Sequence, residues 1–310
     1  MEAAPLRNDL ARGPAGGSAW WIRTQDGLRL RIALWPAEEA RGTVLLLPGR
    51  TEYIEKYGLV ARDLTTRGLS VLVVDWRGQG LSTHLHADPA RGHILGFPDF
   101  QHDIEALLAA AAELALPKPW VGLAHSMAGA ILLRRIGGPH PFAAVAFSAP
   151  MWGIALPPWL RAVSLPLARA LDRTALAESY LPGSGPAPYV LRTAFRDNQL
   201  TGDAAMWAYL IEQAAGEPAF ALGGPSVNWI AESLIECSAL AAQPSPALPC
   251  IAGLGGQEKI IDPAAVRERM ARWPGGRLLD YPQARHEVMM EGPATRTAFL
   301  DAVEGLFVRA

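Results

Sequence analysis

A series of short, nearly continuous apolar runs limits what this chain can fold into. Thr43-Val44-Leu45-Leu46-Leu47 is the clearest, and residues 69–74, 120–124 and 143–148 repeat it. A strand that is apolar on both sides is covered on both faces, so such runs belong inside a sheet sandwiched between helices. Residues 54–66, 98–116 and 126–136 have helical spacing and fall between the runs. Gly68 closes the first of these segments and Gly137-Gly138 the third. Strand and helix alternating in this way build βαβ units with right-handed crossovers. Two alternating segments, residues 20–25 and 28–35, precede them around Asp26-Gly27 and predict an antiparallel hairpin.

With 310 residues, half of them hydrophobic, the chain can bury one core and carry an insertion. The rhythm breaks after Pro150. Residues 151–235 contain helical stretches interrupted by proline and glycine but no buried-strand run, which predicts an inserted helical cap. Strand character returns at 250–254 and 277–281, separated by a helix over 263–272, and an amphipathic helix over 295–308 closes the chain. The expected layout is a mostly parallel α/β core of residues 19–150 and 236–310, a cap of residues 151–235, and a mobile tail of residues 1–18. Glu2, Arg7, Asp9 and Arg12 interrupt that tail, so it does not read as a signal peptide.

A net charge of −2 without a polybasic run gives no electrostatic basis for binding nucleic acid. Cys237 and Cys250 have no metal-ligand spacing and read as buried free thiols. No metal and no cofactor are expected. No stretch approaches about 18 uncharged apolar residues, so a cytoplasmic protein without a spanning helix is expected.

The run at 120–124 ends in Ala124-His125-Ser126-Met127-Ala128-Gly129, a serine between small residues where a strand gives way to a helix. This resembles the nucleophile turn of the α/β-hydrolases, with alanine at both places usually held by glycine. A serine nucleophile needs a base, the base needs an acid to hold its tautomer, and the oxyanion needs backbone donors. In that fold family the chain order is serine, acid, histidine. Of the seven histidines, His286 alone both follows Ser126 and sits just beyond a predicted strand, the last one; His140 lies in a turn at the opposite edge. His125 reads as a support for the turn, and His84, His86, His93 and His102 as solvated or structural. Glu258 and Asp262 compete as the acid. Glu258 is nearer its strand end and is preferred, because Asp262 before Pro263 has an ordinary helix-cap explanation. The backbone N–H groups of Met127 and Arg50 are the expected oxyanion donors, with the Arg50 side chain dispensable.

Further motifs narrow the resemblance. Leu47-Pro48-Gly49-Arg50-Thr51-Glu52-Tyr53-Ile54-Glu55-Lys56-Tyr57, Asp75-Trp76-Arg77-Gly78-Gln79-Gly80-Leu81-Ser82, the Ser126 turn, His286-Glu287 with Glu291, and Ala221-Leu222-Gly223-Gly224-Pro225 with Trp229 are similar to the lysophospholipase and monoacylglycerol lipase group of α/β-hydrolases. Pro48 stands where histidine is common, and Glu258 where aspartate is more usual. The resemblance implies hydrolysis of lipid-like esters through an acyl-enzyme. Small non-lipid esters are the alternative substrates, and a catalytically silent binding scaffold is the alternative from another class. Trp152, Trp159, Trp207 and Trp229, with Phe195 and Phe220, are expected to line an acyl pocket, although packing of cap on body explains each equally well. Residues 158–173 place Trp159, Val163 and Leu167 against Arg161, Arg169 and Arg173, which suits transient docking on a membrane surface. A cap helix facing the active site gives the same pattern and is the preferred reading.

Overall fold

The computed structural model describes residues 1–171, 174 and 176–308. Among these described residues nine strands form one sheet: β1 (Glu2–Ala3), β2 (Ser18–Arg23), β3 (Arg29–Trp35), β4 (Thr43–Leu47), β5 (Ser70–Asp75), β6 (Trp120–His125), β7 (Ala144–Ser148), β8 (Cys250–Gly255) and β9 (Arg277–Tyr281). Their order is β1-β2-β3-β5-β4-β6-β7-β8-β9. The first three pairings in that order are antiparallel and the other five are parallel. From β4 the chain moves outward to β5 and then returns across β4 to β6. The loops after β4 and β6 therefore leave the same sheet edge at the point where the winding reverses, the usual place for a ligand crevice.

The helices are α1 (Asn8–Ala11), α2 (Gly58–Thr65), α3 (Phe100–Glu113), α4 (Met127–Arg135), α5 (Pro158–Leu171), α6 (Tyr189–Arg192), α7 (Ala204–Gly216), α8 (Val227–Ala241), α9 (Pro263–Ala271) and α10 (Pro293–Phe307). Side chains of each central strand alternate between two cores. Leu45, Leu47, Leu72 and Val74 pack with α3, α4, α8 and α9 through Ile104, Ile131, Leu240 and Val266. Val44, Leu46, Val71 and Val73 pack with α2 and α10 through Val60, Leu64, Phe299 and Val303. This double coverage is why the strands read as unbroken apolar runs rather than as alternation.

Helices α5 to α8 lie between β7 and β8. Helix α8 is capped by the Ser226 hydroxyl, which accepts from the Trp229 N–H at 3.0 Å, and runs without a break to Ala241. Residue 235 is thus no boundary, because the same helix carries Trp229 in the cap and Cys237 and Leu240 in the body core.

The first eighteen residues are not a free tail. Glu2 and Ala3 pair with Trp21 and Trp20, and Leu10 and Ala11 are buried. The Tyr209 hydroxyl donates to the Ala11 carbonyl at 2.7 Å and the Gln213 amide to the Leu10 carbonyl at 2.9 Å, both from α7. These are backbone carbonyls satisfied from afar, which hydrophobic patterning does not register.

Candidate active site

Ser126 stands between β6 and α4 with φ 51° and ψ −117°, a conformation that non-glycine residues seldom adopt. Its N–H donates to the Ser148 carbonyl at 3.0 Å, and its own carbonyl accepts from Gly129 and Met151, both at 2.8 Å. The turn needs close packing. Ala124 and Ala128 are fully buried and their methyl groups fit. The closest approach falls one residue later, where a Cβ on Gly129 would lie 2.4 Å from Cβ of Pro150.

The loop after β9 delivers His286, which is 3% exposed. Its Nε2 lies 2.9 Å from the Ser126 hydroxyl and its Nδ1 lies 2.7 Å from Oε2 of Glu258. The other Glu258 oxygen accepts from the N–H groups of Ile260 and Ile261, at 2.6 and 3.2 Å. Burial works against both charged forms. For His286 the Glu258 carboxylate outweighs that cost, helped by Glu287 and Glu52, and the pKa is raised above the ordinary histidine value. For Glu258 the His286 charge and the backbone donors outweigh burial, and its pKa is lowered. Asp262 instead caps α9, accepting from Ala264 at 3.0 Å. A carboxylate that fixes an imidazole against a hydroxyl is the arrangement that makes a serine nucleophilic.

The loop after β4 is anchored on both sides of Arg50. The Gly49 N–H donates to Glu52, the Gly49 carbonyl accepts from the Gln79 amide at 2.9 Å, and the Thr51 N–H donates to Oε1 of Gln79 at 2.9 Å. The Trp76 indole donates to the Pro48 carbonyl at 2.7 Å. Across the rim, Met127 opens α4 and its N–H has no intrahelical acceptor.

Beneath the site lies a buried charged cluster that the sequence reading carried only as motif residues. Lys56 Nζ sits 2.5 Å from Glu52 and 2.7 Å from Glu287, and the Tyr57 hydroxyl donates to Glu52. Burial opposes the Glu52 charge, but Lys56 and its other partners prevail and hold its carboxyl at about 2. His125 completes the cluster, with Nδ1 3.0 Å from the Ser148 carbonyl and its ring 4.9 Å from that of His286. Burial drives its pKa down to about 3, so it is neutral. Donor atoms of Glu52, His125 and Glu287 lie within 4.8 Å of one another, as a metal would require. Lys56, however, already supplies the positive charge between the two carboxylates. The signal in the sequence was Glu52 four residues before Lys56, which says nothing of Glu287.

Ser126 and His286 open into a cavity of about 350 Å³ whose walls include Tyr53, Met151, Tyr189, Leu210, Trp229 and Ile230. Of the four tryptophans expected there, only Trp229 lines it. Trp152 packs edge-on to Phe147, stacks on Trp273 and donates to the Gly129 carbonyl at 3.1 Å. Trp207 is buried edge-on to Tyr189, so it backs the wall. Phe220 likewise stacks on Tyr53 at 4.7 Å, and Phe195 is exposed under Arg285. Trp159 is 75% exposed, with Val163 and Leu167 also exposed on α5, so this face of the helix does not turn toward the site. Arg173 and the Arg161 side chain lie outside the described residues.

The Arg50 side chain is not idle. Nη2 donates to the Gly223 carbonyl in the cap at 2.9 Å, and the guanidinium lies 5.1 Å over Trp229. The His286 loop is also tied to the segment between β7 and β8. Glu291 accepts from the Arg285 N–H at 2.7 Å and from the Gly202 N–H at 2.9 Å, and the Glu287 N–H donates to the Leu200 carbonyl at 2.9 Å.

The chain is 31% identical over 306 residues to lysophospholipase L2 of Escherichia coli (strain K12), which covers 92% of this chain and 85% of that protein. Over a shorter stretch of 127 residues, 40% of this chain and 43% of the relative, it is 32% identical to a monoacylglycerol lipase of Mycolicibacterium smegmatis. A soluble variant of monoglyceride lipase from Saccharomyces cerevisiae superposes with a TM-score of 0.72 at 20% identity, over 93% of this chain and 94% of the other. Residues 38–293 match the Hydrolase_4 family, described as serine aminopeptidase, S33. The chain is therefore an α/β-hydrolase and belongs to that family.

Proposed function

We propose that the protein hydrolyses single-chain lipid esters, lysophospholipids or monoacylglycerols, with Ser126 as nucleophile, His286 as base and Glu258 as the group that orients the ring. The observation that carries this reading is the unbroken bonding from Glu258 through His286 to Ser126 at a cavity with mostly apolar walls. Ser126 Oγ attacks the ester carbonyl as its proton passes to Nε2. The oxyanion is received by the N–H groups of Met127 and Arg50, each worth about 2.7 to 4 kcal/mol by analogy with measured donors. The imidazolium protonates the departing glycerol oxygen, and water activated by the same nitrogen releases the fatty acid.

The family description names a peptidase, but the pocket chemistry favours an ester. An aminopeptidase needs a free carboxylate for the substrate ammonium. Here Glu52 and Glu287, the acids on the wall, are both engaged by Lys56. The relatives are named for lysophospholipid and monoacylglycerol hydrolysis. Turnover of a panel of lysolipids, monoacylglycerols, short esters and aminoacyl amides tests the reading, together with fluorophosphonate labelling. Ser126→Ala should lose roughly 10⁶-fold in kcat, the scale for removing a triad nucleophile, and all labelling. Turnover unchanged in that variant, or faster cleavage of short esters or amides than of lipids, refutes it.

No helix among the described residues is long and apolar enough to cross a membrane. The exposed Trp159, Val163, Leu167, Leu176, Leu191 and Phe195 all belong to the cap, and they support docking of the cap on a lipid surface. Sedimentation with anionic liposomes should carry the protein down, and Trp159→Asp with Leu167→Asp should abolish this. Failure of the unaltered protein to sediment refutes docking.

A further inference from the structure

Arg50 presents an electrostatic problem that the ester chemistry leaves unsolved. Arg50 lines the cavity, and its guanidinium is wedged between the Gly223 carbonyl and the Trp229 ring, with a buried Nε that has no hydrogen-bond partner. Gly92 keeps the space open, since a Cβ there would fall 2.3 Å from Nη2. Among the described residues no carboxylate pairs with it. Burial alone acts on it and draws its pKa down to about 9, which leaves it charged at neutral pH. A buried cation without a counter-ion is costly. Tying down one carbonyl requires a donor but no charge, so an amide side chain would serve that purpose at less cost.

We propose that the Arg50 guanidinium receives the phosphate of the substrate and thereby selects a lysophospholipid over a monoacylglycerol of the same acyl chain. This rests on the lipid-ester reading above. Arginine is the side chain suited to phosphate, with planar donors that match two oxygens. The placement fits the substrate's covalent geometry. The Arg50 N–H belongs to the loop beside the nucleophile, and its guanidinium is one side chain away. In a glycerol lysophospholipid the phosphate is separated from the scissile ester oxygen by the glycerol carbons. Of the other cations on the wall, Lys56 is shared by Glu52 and Glu287, and Arg192 is exposed to solvent beside the Tyr189 ring, where water already meets its charge.

Binding and turnover test this separately. Affinity is measured for an ether-linked lysophospholipid and an ether-linked alkylglycerol of equal chain length, which cannot be hydrolysed, with inorganic phosphate as a competitor. The unaltered protein should prefer the lysophospholipid by on the order of 10- to 100-fold, equivalent to one or two charge-assisted hydrogen bonds. Arg50→Gln should close that gap, and Arg50→Lys should keep part of it. The kcat/KM ratio for the two ester substrates should follow the same pattern, carried by KM. Inorganic phosphate at millimolar concentration should weaken only the lysophospholipid, and only with Arg50 present. Equal affinity of the unaltered protein for both ethers overturns the proposal. So does a loss in Arg50→Gln that falls alike on both lipids, since that would mark a purely structural tie to Gly223. Arg50-dependent ether binding without cleavage of either ester would instead sustain the proposal and overturn the hydrolase reading.

Discussion

In the proposed reaction His286 accepts the Ser126 proton only when its ring is neutral, so its surroundings would set the pH range. Burial disfavours the imidazolium, yet Glu258 with Glu287 and Glu52 more than compensates and raises the pKa above the ordinary histidine value. The acid limb of kcat/KM, where the base becomes protonated as pH falls, should therefore lie above the range of an ordinary histidine. Glu258→Gln removes the largest favourable charge, so that limb should move to lower pH while turnover drops roughly 10⁴-fold, the scale for neutralising a triad acid. A pH profile with p-nitrophenyl acyl esters reads both effects, and a limb that stays in place would show that Glu258 does not govern the ring. Order along the chain and position at strand ends pointed to Ser126, His286 and Glu258 from the residues alone. The Arg50 side chain was read as dispensable because a spacing argument sees its N–H and not the carbonyl, ring and cavity around its guanidinium.

Among elements, the junction of β6 and α4 concentrates the strain and the packing. Ser126 holds a positive φ that the flanking bonds to Ser148, Gly129 and Met151 maintain. Glycine inside α4 costs about 0.5 to 1 kcal/mol relative to alanine, so Gly129→Ala would stabilise the protein if helix propensity decided. The overlap with Pro150, 2.4 Å to its Cβ and 2.7 Å to its Cα, costs about 1 to 3 kcal/mol and part of it is backbone that cannot step aside. Net destabilisation is expected in urea unfolding, with slower fluorophosphonate labelling as the Ser126 turn shifts. A more stable Gly129→Ala protein would show that the junction is looser than these distances imply. Helix α5 carries a different lesson. Its periodicity revealed an apolar face, but periodicity cannot say what covers that face, and Trp159, Val163 and Leu167 point away from the site.

At the scale of the whole molecule, cap and core share the machinery. The His286 loop is held against residues 198–202 of the cap, chiefly by Glu291, whose buried carboxylate accepts from the N–H groups of Arg285 and Gly202 and from the Thr201 hydroxyl. Glu291→Ala strands these donors and should cost about 3 kcal/mol. Differential scanning calorimetry should show the lower Tm, and kcat should fall with it because the base loses its support. A normal rate of fluorophosphonate labelling in a destabilised variant would separate the clamp from catalysis. The N-terminal segment belongs to the same scheme, fastened to α7 by Tyr209 and Gln213.

The sequence by itself determined the parallel sheet, the helices on its two faces, the insertion after β7 and the chain order of serine, acid and histidine. Those features are written in local periodicity and in the order of segments, both of which a linear chain carries explicitly. Only the tertiary structure decided which aromatics wall the cavity, that Lys56 bridges Glu52 and Glu287, that Leu10 and Ala11 are bound under α7, and that Arg50 sits beside Trp229 with no carboxylate partner among the described residues. Each of these depends on groups from distant segments meeting in a place where water is excluded. Burial there sets the cost of every charge and unmet hydrogen bond, and burial is a property of the assembled fold rather than of any stretch of sequence.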